Sequence, residues 1–210
     1  MEKVSIRQLE RYPIYLNYLL SLRESGVSSI SSPAIAKALS LSEEQVRKDL
    51  QLVSRSEGKP KSGRNIDELI SDIQEFLGYK KVTNAAVIGV GHLGQALMNY
   101  KGFAEFGLNI VCGFDVDSSL IGTKVNNKEV FSLYSLSSKI EQFDIKVAIL
   151  VTPKESAQEV ANMLVNAGIK AIWNFVPVHL NINDKIAVEN VNLASSLAIL
   201  EHNLKQKGDE

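Results

Sequence analysis

The fold of this chain is decided by one glycine-rich stretch, Gly89-Val90-Gly91-His92-Leu93-Gly94. The apolar run 85–88 before it predicts a buried strand, and residues 95–100 after it predict a helix. In such a turn the first glycine permits the bend, the second lets the backbone approach a pyrophosphate, and the third lets helix and strand pack closely. The free N–H groups of the following helix attract phosphate. This context predicts a dinucleotide-binding turn.

An acidic residue strengthens this interpretation. Asp115 ends the next apolar run, 110–114, and lies roughly 20 residues beyond the glycines, where a carboxylate accepts hydrogen bonds from the adenosine ribose. No arginine follows it closely to accept a 2′-phosphate, which favours NAD over NADP. The alternative is a glycine turn in an α/β fold that binds nothing.

The second part of the chain alternates apolar runs with helical patterns. The runs 147–151 and 171–175, together with the two already named, predict a parallel sheet covered on both faces. Residues that follow the runs, Thr152, Pro153 and the stretch 174–177, should lie at the carboxyl edge of the sheet. Ligands bind at that edge in open α/β sheets.

The first part of the chain, to about residue 81, has helical periodicity instead. Residues 12–23 predict a helix in which Pro13 occupies the first position after a break. A second helix should begin at Ser32, its N-cap, with Pro33 as its first residue. A third helix, 43–53, follows closely and carries a capping box of Ser42 and Gln45. Two short helices joined by a tight turn predict a helix-turn-helix.

A basic hairpin and a fourth helix complete the first part. Residues 58–64 are rich in Gly, Pro and Ser and predict a hairpin tip, and 67–77 predict a helix capped by Asn65 and Glu68. Helices followed by a basic hairpin describe a winged helix, and residues 78–81 mark its boundary with the nucleotide domain.

The segment 47–64 contains six basic and two acidic residues in a chain whose net charge is −1. Residues 42–47, which include Ser42 and Gln45, form the half of the recognition helix that enters the major groove. Arg47 is the first candidate for a guanine contact, since arginine bridges O6 and N7 of that base. Lys48 and Lys59 would bind phosphates, and Lys61 and Arg64 would reach the minor groove. The alternative is a solvated charged face.

Composition excludes several other classes. The single cysteine, Cys112, permits no disulfide within the chain and is expected to be a small buried side chain. The charged N-terminus is unlike a signal peptide, and no apolar run reaches membrane-spanning length. We therefore expect a cytoplasmic protein, with no metal site and no membrane partner. A final amphipathic helix over 192–205 needs a surface to cover, either its own sheet or another subunit.

The order of these parts resembles the Rex family of bacterial redox-sensing repressors along nearly the whole chain. The resemblance is carried by QVRKDL at 45–50, GVGHLGQAL at 89–97, YKGF at 100–103, FDVD at 114–117, NFVPV at 174–178 and ENV at 189–191. It implies a winged-helix DNA-binding domain over 1–81, a Rossmann NAD(H)-binding domain over 82–191 and a dimerisation helix over 192–210 that is exchanged between subunits.

The resemblance also implies a function. Members are homodimers that bind an inverted-repeat operator; NAD⁺ is compatible with DNA binding and NADH releases the protein. By position, Arg47, Lys48, Lys59 and Lys61 would contact DNA. The cofactor would be held by a set that begins in the glycine turn: Gly89, Val90, Gly91, His92, Leu93, Gly94, Tyr100, Asp115, Thr152, Pro153, Asn174, Phe175 and Pro177.

Two charged positions of the family's redox-dependent polar network are neutral here. Asn17 and Asn192 stand where the best-known members carry an arginine and an acid, while Tyr100 matches the tyrosine of that network. An apolar pocket would still distinguish the cofactors, because burial disfavours the cationic nicotinamide of NAD⁺. Leu193 of the partner's helix is a candidate for that apolar wall.

Two other functions remain open from the sequence. A small NAD-dependent oxidoreductase with a basic helical appendage would need a positioned acid or base. The histidines offer little for this: His179 follows the Pro177 turn and could face the pocket, whereas His202 is expected to be exposed. The third function is a DNA-binding protein that senses another nucleotide, such as CoA.

Overall fold

The chain folds into two compact units. The structure, a computed structural model, describes residues 4–55 and 63–208. The units are Met1–Lys81 and Val82–Glu210, and each has its own hydrophobic core. None of the helices within the described residues has the length and hydrophobicity that crossing a bilayer requires.

The first unit is mainly helical. Its described elements are α1 (Ile6–Glu24), β1 (Ser29–Ile30), α2 (Ser32–Leu39), α3 (Glu43–Val53), β2 (Arg64–Asn65) and α4 (Ile66–Phe76). Strands β1 and β2 pair antiparallel, with Ile30 opposite Arg64. The core between the helices is built from Leu16, Leu19, Ile35, Val46, Leu50, Ile66 and Ile73, each fully buried.

Helix α1 corrects the prediction for Pro13. The helix begins at Ile6, where the Ser5 hydroxyl accepts a hydrogen bond from the Gln8 N–H, so Pro13 lies inside it rather than at its first position. A proline inside a helix costs about 3 kcal/mol. Tyr12, Tyr15 and Leu16 are fully buried on one face of α1, and this packing outweighs the missing hydrogen bond.

The helix-turn-helix forms as predicted, with a shift of one residue at its start. Ser31, not Ser32, caps α2 and accepts from the Ala34 N–H at 3.3 Å. The shift follows from β1, because pairing holds Ile30 extended and leaves Ser31 as the next residue free to cap. The Ser42 hydroxyl caps α3 and accepts from the Gln45 N–H at 3.2 Å.

A buried carboxylate joins α3 to α1. Asp49 is 2% exposed, and both its oxygens are held by Arg11, at 2.6 Å from Nε and 2.8 Å from Nη2. The Tyr15 hydroxyl donates to Asp49 at 2.7 Å, and Tyr12 donates to the Asp49 carbonyl at 3.0 Å. Burial, and then the hydrogen bond to Asp49, raise the pKa of Tyr15, so the phenol stays a donor. These contacts fix the orientation of α3 on α1.

The basic hairpin is described only in part. Most of the predicted tip, 58–64, lies outside the described residues, which resume at Gly63. Helix α4 begins at Ile66, one residue earlier than predicted, and the Asn65 side chain accepts from the Glu68 N–H at 3.0 Å.

The second unit is an α/β fold of the Rossmann type. Its helices and strands, in chain order, are β3 (Thr83–Ile88), α5 (His92–Asn99), a 3-10 helix (Lys101–Phe106), β4 (Leu108–Asp115), β5 (Lys124–Val125), β6 (Lys128–Ser132), a second 3-10 helix (Leu133–Ser135), α6 (Leu136–Gln142), β7 (Ile145–Leu150), α7 (Ala157–Asn166), β8 (Ala171–Asn174), β9 (Ala187–Asn190) and α8 (Leu193–Gly208). The strand order is β5-β6-β4-β3-β7-β8-β9.

All neighbouring strands of this sheet run parallel except β5 and β6. Alternate residues of β3 face opposite sides: Ala86 and Ile88 join one apolar core, while Ala85 and Val87 join the other. The prediction of a sheet covered on both faces is confirmed. Burial raises the pKa of the Cys112 thiol on β4 to about 12, so this cysteine is an inert apolar side chain, as expected.

The sequence did not predict β5, β6 or β9. These strands are two to five residues long, and β9 has no fully buried residue to give it an apolar run. Strand β9 pairs with β8 through Ile172 opposite Val188, which places the chain entering α8 beside the end of β8.

Helix α8 presents uncovered apolar side chains. Five of them are between 54% and 71% exposed: Leu193, Leu197, Ile199, Leu200 and Leu204. The sequence left open whether this helix covers its own sheet or another subunit. The exposure shows that its own sheet does not cover this face.

The Arg11–Asp49 pair generates a stability prediction. Arg11→Met should lower the free energy of unfolding of the first unit by about 3 kcal/mol, because Asp49 would remain buried without its counter-charge. Urea unfolding followed by circular dichroism measures this, with Trp173 fluorescence as an internal reference for the second unit. Lys48→Met, which removes only an exposed ion pair with Glu44, is the control and should change little. Equal effects of the two variants would contradict the role given to Arg11.

Candidate functional site

The glycine turn after β3 requires glycine at its first position. Gly89 has a φ of +96°, a region that other residues rarely adopt. A Cβ at this position would also lie 2.9 Å from the carbonyl oxygen of Val151, the residue that follows the neighbouring strand β7. The turn is held by the Gly89 N–H, which donates to the Phe114 carbonyl at 2.8 Å.

The other two glycines serve opposite purposes. A Cβ on Gly94 would overlap the Gly89 carbonyl oxygen, so only glycine allows α5 to pack this closely against the turn. A Cβ on Gly91 would meet nothing within 4 Å. Gly91 therefore borders open space directly before the first turn of α5, and this space is available to a phosphate.

The N-terminus of α5 is chemically suited to an anion. Gly91 is its N-cap, so no side chain accepts from the first N–H groups of the helix. No acidic residue lies in the first turn. These N–H groups and the positive end of the helix dipole remain available for negative charge.

Asp115 ties the glycine turn to the end of β4. Its Oδ2 accepts from the Val90 N–H at 2.6 Å, and its Oδ1 accepts from the N–H groups of Val116 and Asp117 at 2.7 and 2.9 Å. An ionised carboxylate offers about four acceptor sites. Asp115 can thus accept a further hydrogen bond from a ribose hydroxyl while it holds the turn in place.

Asp117, which the sequence places beside Asp115, stabilises a turn. Its carboxylate accepts from the N–H and the hydroxyl of Ser119, and these hydrogen bonds hold the pKa of Asp117 below its usual value. Within residues 4–55 and 63–208 no cluster of histidine, cysteine and acidic side chains is arranged to hold a metal ion.

Thr152 supplies an unused polar atom at the end of β7. Its hydroxyl is buried and has no hydrogen-bond partner among the described residues. The Thr152 backbone nitrogen lies 3.2 Å from the position of a Cβ on Gly89, so the hydroxyl belongs to the same edge of the sheet as the glycine turn. A buried hydroxyl without a partner costs free energy, which a bound polar group would recover. Together with the space at Gly91, this arrangement fits a dinucleotide.

A cleft of about 520 Å³ opens at the ends of β8 and β9. Its walls are Phe175, Val176, Pro177, Val178, His179, Asn190, Val191, Asn192, Leu193 and Ala194. Two of the predicted cofactor residues, Phe175 and Pro177, thus line it. His179 and the residues at 190–191 were not predicted as binding residues, because β9 was missed and His179 was weighed only as a catalyst.

Asn174 supports this cleft without lining it. The residue is 1% exposed, and its amide nitrogen donates to the Val178 carbonyl at 3.1 Å and to Asn190 Oδ1 at 2.8 Å. Its side-chain oxygen accepts from the Val176 N–H at 3.0 Å. Asn174 therefore shapes the loop 175–178 and joins it to β9.

Tyr100 lies at one end of a row of aromatic rings. Its ring centroid is 4.8 Å from that of Phe103, Phe103 is 5.6 Å from Trp173, and Trp173 is 5.0 Å from Phe175. Tyr100 is 58% exposed and does not line the cleft, whereas Phe175 at the other end does. The single tryptophan of the chain is thus one ring away from the cleft, which makes its fluorescence a suitable probe of ligand binding.

Four of the predicted DNA-contacting residues belong to α3 or to its cap. Arg47 and Lys48 are both exposed; Lys48 pairs with Glu44 at 2.7 Å and holds the pKa of that carboxyl below its usual value. Ser42 and Gln45 stand at the start of the same helix. Asp49, on the buried side of α3, fixes the orientation of this helix through its contacts with Arg11 and Tyr15 of α1.

The remaining basic residues are distributed differently from the sequence expectation. Arg55 pairs with Asp72 and Glu75 of α4, so it is a structural residue whose charge is compensated. Lys59 and Lys61 lie outside the described residues, and Arg64 is in β2. Of the six basic residues in the segment 47–64, α3 therefore carries two, Arg47 and Lys48.

Comparisons with known proteins match both units. Residues 3–51 match a domain family described as "Putative DNA-binding protein N-terminus", and residues 80–178 match one described as "CoA binding domain". The redox-sensing transcriptional repressor Rex of Treponema denticola is 41% identical over 91% of this chain and 91% of its own length.

Solved structures of a Rex-family repressor also match this chain along nearly its whole length. A crystal structure of RSP, a Rex-family repressor, in complex with NAD⁺ and operator DNA covers 99% of this chain and 95% of its own, with a TM-score of 0.90 and 36% identity. RSP in complex with NADH covers 99% of this chain and 97% of its own, with a TM-score of 0.89 and 35% identity.

A helix-turn-helix unit followed by a Rossmann-like unit with an open glycine turn defines a transcription regulator of the nucleotide-sensing class. Within that class, the chain belongs to the Rex family of redox-sensing transcriptional repressors. The expected family and the α/β fold class are confirmed, whereas exchange of the final helix between subunits stays a prediction.

The two glycines of the turn give contrasting predictions. Gly94→Ala should lower the free energy of unfolding of the second unit by about 2 kcal/mol, because the new methyl group overlaps the Gly89 carbonyl. Gly91→Ala should leave it nearly unchanged, because its methyl group projects into open space. Urea unfolding followed by Trp173 fluorescence compares them, and equal destabilisation would show that the close approach at Gly94 does not support the fold.

Proposed function

We propose that this protein is a dimeric repressor that binds an inverted-repeat operator and leaves it when NADH occupies the second unit. The observation that carries the proposal is the glycine turn, in which Gly91 borders open space before an uncapped helix N-terminus. Membership of the Rex family, and the RSP structures with NAD⁺ and operator DNA and with NADH, support the same function.

The dinucleotide would lie along the carboxyl edge of the sheet. The N–H groups of His92, Leu93 and Gly94 would hold the pyrophosphate, and Asp115 would accept from the adenosine ribose. Thr152 and Pro153 would flank the nicotinamide ribose, and the ring would enter the cleft beside Phe175 and Pro177. The cofactor supplies a redox-dependent charge on its nicotinamide ring, and the chain senses that charge.

The DNA contacts would come from α3 and the wing. Arg47 would read a guanine in the major groove, with Ser42 and Gln45 at the start of the same helix. The phosphate backbone and the minor groove would be contacted by Lys48, Lys59, Lys61 and Arg64. Sequence specificity then depends on Arg47, while the lysines contribute affinity that falls with salt.

A second copy of this chain would cover α8. Its exposed apolar side chains, such as Leu197 and Leu200, need a partner surface, and exchange of α8 between two subunits supplies one. In the dimer, NADH would change the spacing of the two α3 helices away from one DNA turn, roughly 34 Å. We propose no catalytic turnover, and we place the protein in the cytoplasm, where DNA and the NADH pool meet.

Gly91→Val tests the cofactor side. A valine side chain would fill the space that the pyrophosphate needs, so NADH should bind at least about tenfold more weakly and should no longer release operator DNA. A gel shift on the DNA upstream of the gene, across a series of NADH/NAD⁺ ratios, measures the release. Operator affinity without cofactor is the internal control and should be retained. Release by NADH at the wild-type concentration would place the cofactor elsewhere.

Arg47→Ala tests the DNA side. Loss of a bidentate guanine contact costs about 1–3 kcal/mol, so operator affinity should fall about 5- to 150-fold with NADH affinity unchanged. Arg23→Ala removes the same charge from an exposed position at the end of α1 and is the control. If the two variants weaken operator binding equally, Arg47 acts only through its charge.

A further inference from the structure

One side chain in the cleft can change its charge. Among the described residues that line the cleft, His179 is the only one with a titratable group. The other polar side chains, Asn190 and Asn192, are neutral amides, and the remaining walls are apolar. Whatever enters the cleft therefore meets a single group whose charge depends on pH.

The two forms of the cofactor differ mainly at the ring that would enter this cleft. The nicotinamide of NAD⁺ carries a positive charge, whereas the dihydronicotinamide of NADH is neutral. The pyrophosphate charge is the same in both. A charge next to the ring therefore changes the difference between the two affinities, while a charge next to the pyrophosphate changes both affinities together.

We propose that His179 determines the preference of this protein for reduced over oxidised nicotinamide, and that protonation of its imidazole strengthens this preference. The proposal rests on the proposed function, because it needs the ring in the cleft. The protonated imidazole repels the cationic ring of NAD⁺ and has no such effect on NADH. Protonation of the imidazole as pH falls therefore raises the ratio of the two dissociation constants.

The other charged groups on the elements around His179 do not line the cleft. Glu189 is on β9, Asp184 and Lys185 precede that strand, and Glu201 and His202 lie further along α8. All five are exposed, as is His179, and His179 differs from them because it alone lines the cleft. His202 carries the same imidazole side chain but does not line the cleft, which makes it the matched control.

The expected effect is moderate. Two like charges about 5 Å apart repel by ~1–3 kcal/mol at effective dielectric constants between those of water and of a protein surface. We therefore expect the ratio of the NAD⁺ to the NADH dissociation constant to rise about tenfold between pH 8.5 and pH 5.5. NADH affinity itself should change less.

The experiment measures both dissociation constants across this pH range by isothermal titration calorimetry with the full-length protein. In His179→Gln the ratio should be low and independent of pH, because the side chain stays neutral. In His179→Lys it should be high and nearly constant over the whole range, because the side chain stays charged. His202→Gln should behave as the wild type.

The outcomes separate this inference from the proposed function. If NADH binds but the ratio in the wild type does not change with pH, or changes equally in His179→Gln, the inference is wrong and the proposed function stands. If NADH binds to none of the proteins at any pH, the proposed function itself fails. A pH dependence abolished by His202→Gln and kept in His179→Gln would assign the effect to α8 instead.

Discussion

The close approach of α5 to the turn after β3 is the contact on which the second unit depends. Only a residue without a side chain fits at Gly94 under the Gly89 carbonyl, and this contact sets where the helix begins. The helix N-terminus then faces the carboxyl edge of the sheet, with open space at Gly91. Asp115 holds the same turn from β4 through the Val90 N–H, so the crevice is formed before a ligand enters. Pre-formed N–H groups bind an anion with little loss of conformational entropy.

In the first unit, the helix proposed to bind DNA is fixed by a different kind of contact. This recognition helix is oriented by a buried carboxylate, Asp49, that is shared by Arg11 and Tyr15 of α1. Each unit thus fixes its own binding element by a polar contact to a neighbouring segment. The apolar face of α8 is exposed as well. In the proposed dimer, a second subunit would cover this face and would link cofactor binding to DNA binding.

Local patterns in the sequence were enough to predict the glycine turn, the buried strands and the α3 cap. These features depend on residues within a few positions of one another. The sequence was wrong for Pro13, where burial of Tyr12 and Tyr15 outweighs the helix-breaking tendency, and it missed β9, which has no apolar run. It also missed the partners of Asp49 and Arg55, because those partners come from distant segments of the chain. The cleft around His179 escaped prediction for the same reason: its walls are assembled by pairing of β8 with β9.

The central claim is that occupancy of the crevice at Gly91 and binding of operator DNA by α3 are coupled. Thermodynamic linkage requires such coupling to be reciprocal, and a coupling free energy of ~1–3 kcal/mol corresponds to a change of about 5- to 150-fold in affinity. The most direct measurement is a titration of NADH, followed by Trp173 fluorescence, with and without saturating operator DNA. Operator DNA should weaken NADH binding by the same factor by which NADH weakens operator binding. Equal NADH affinities in the two titrations would contradict it.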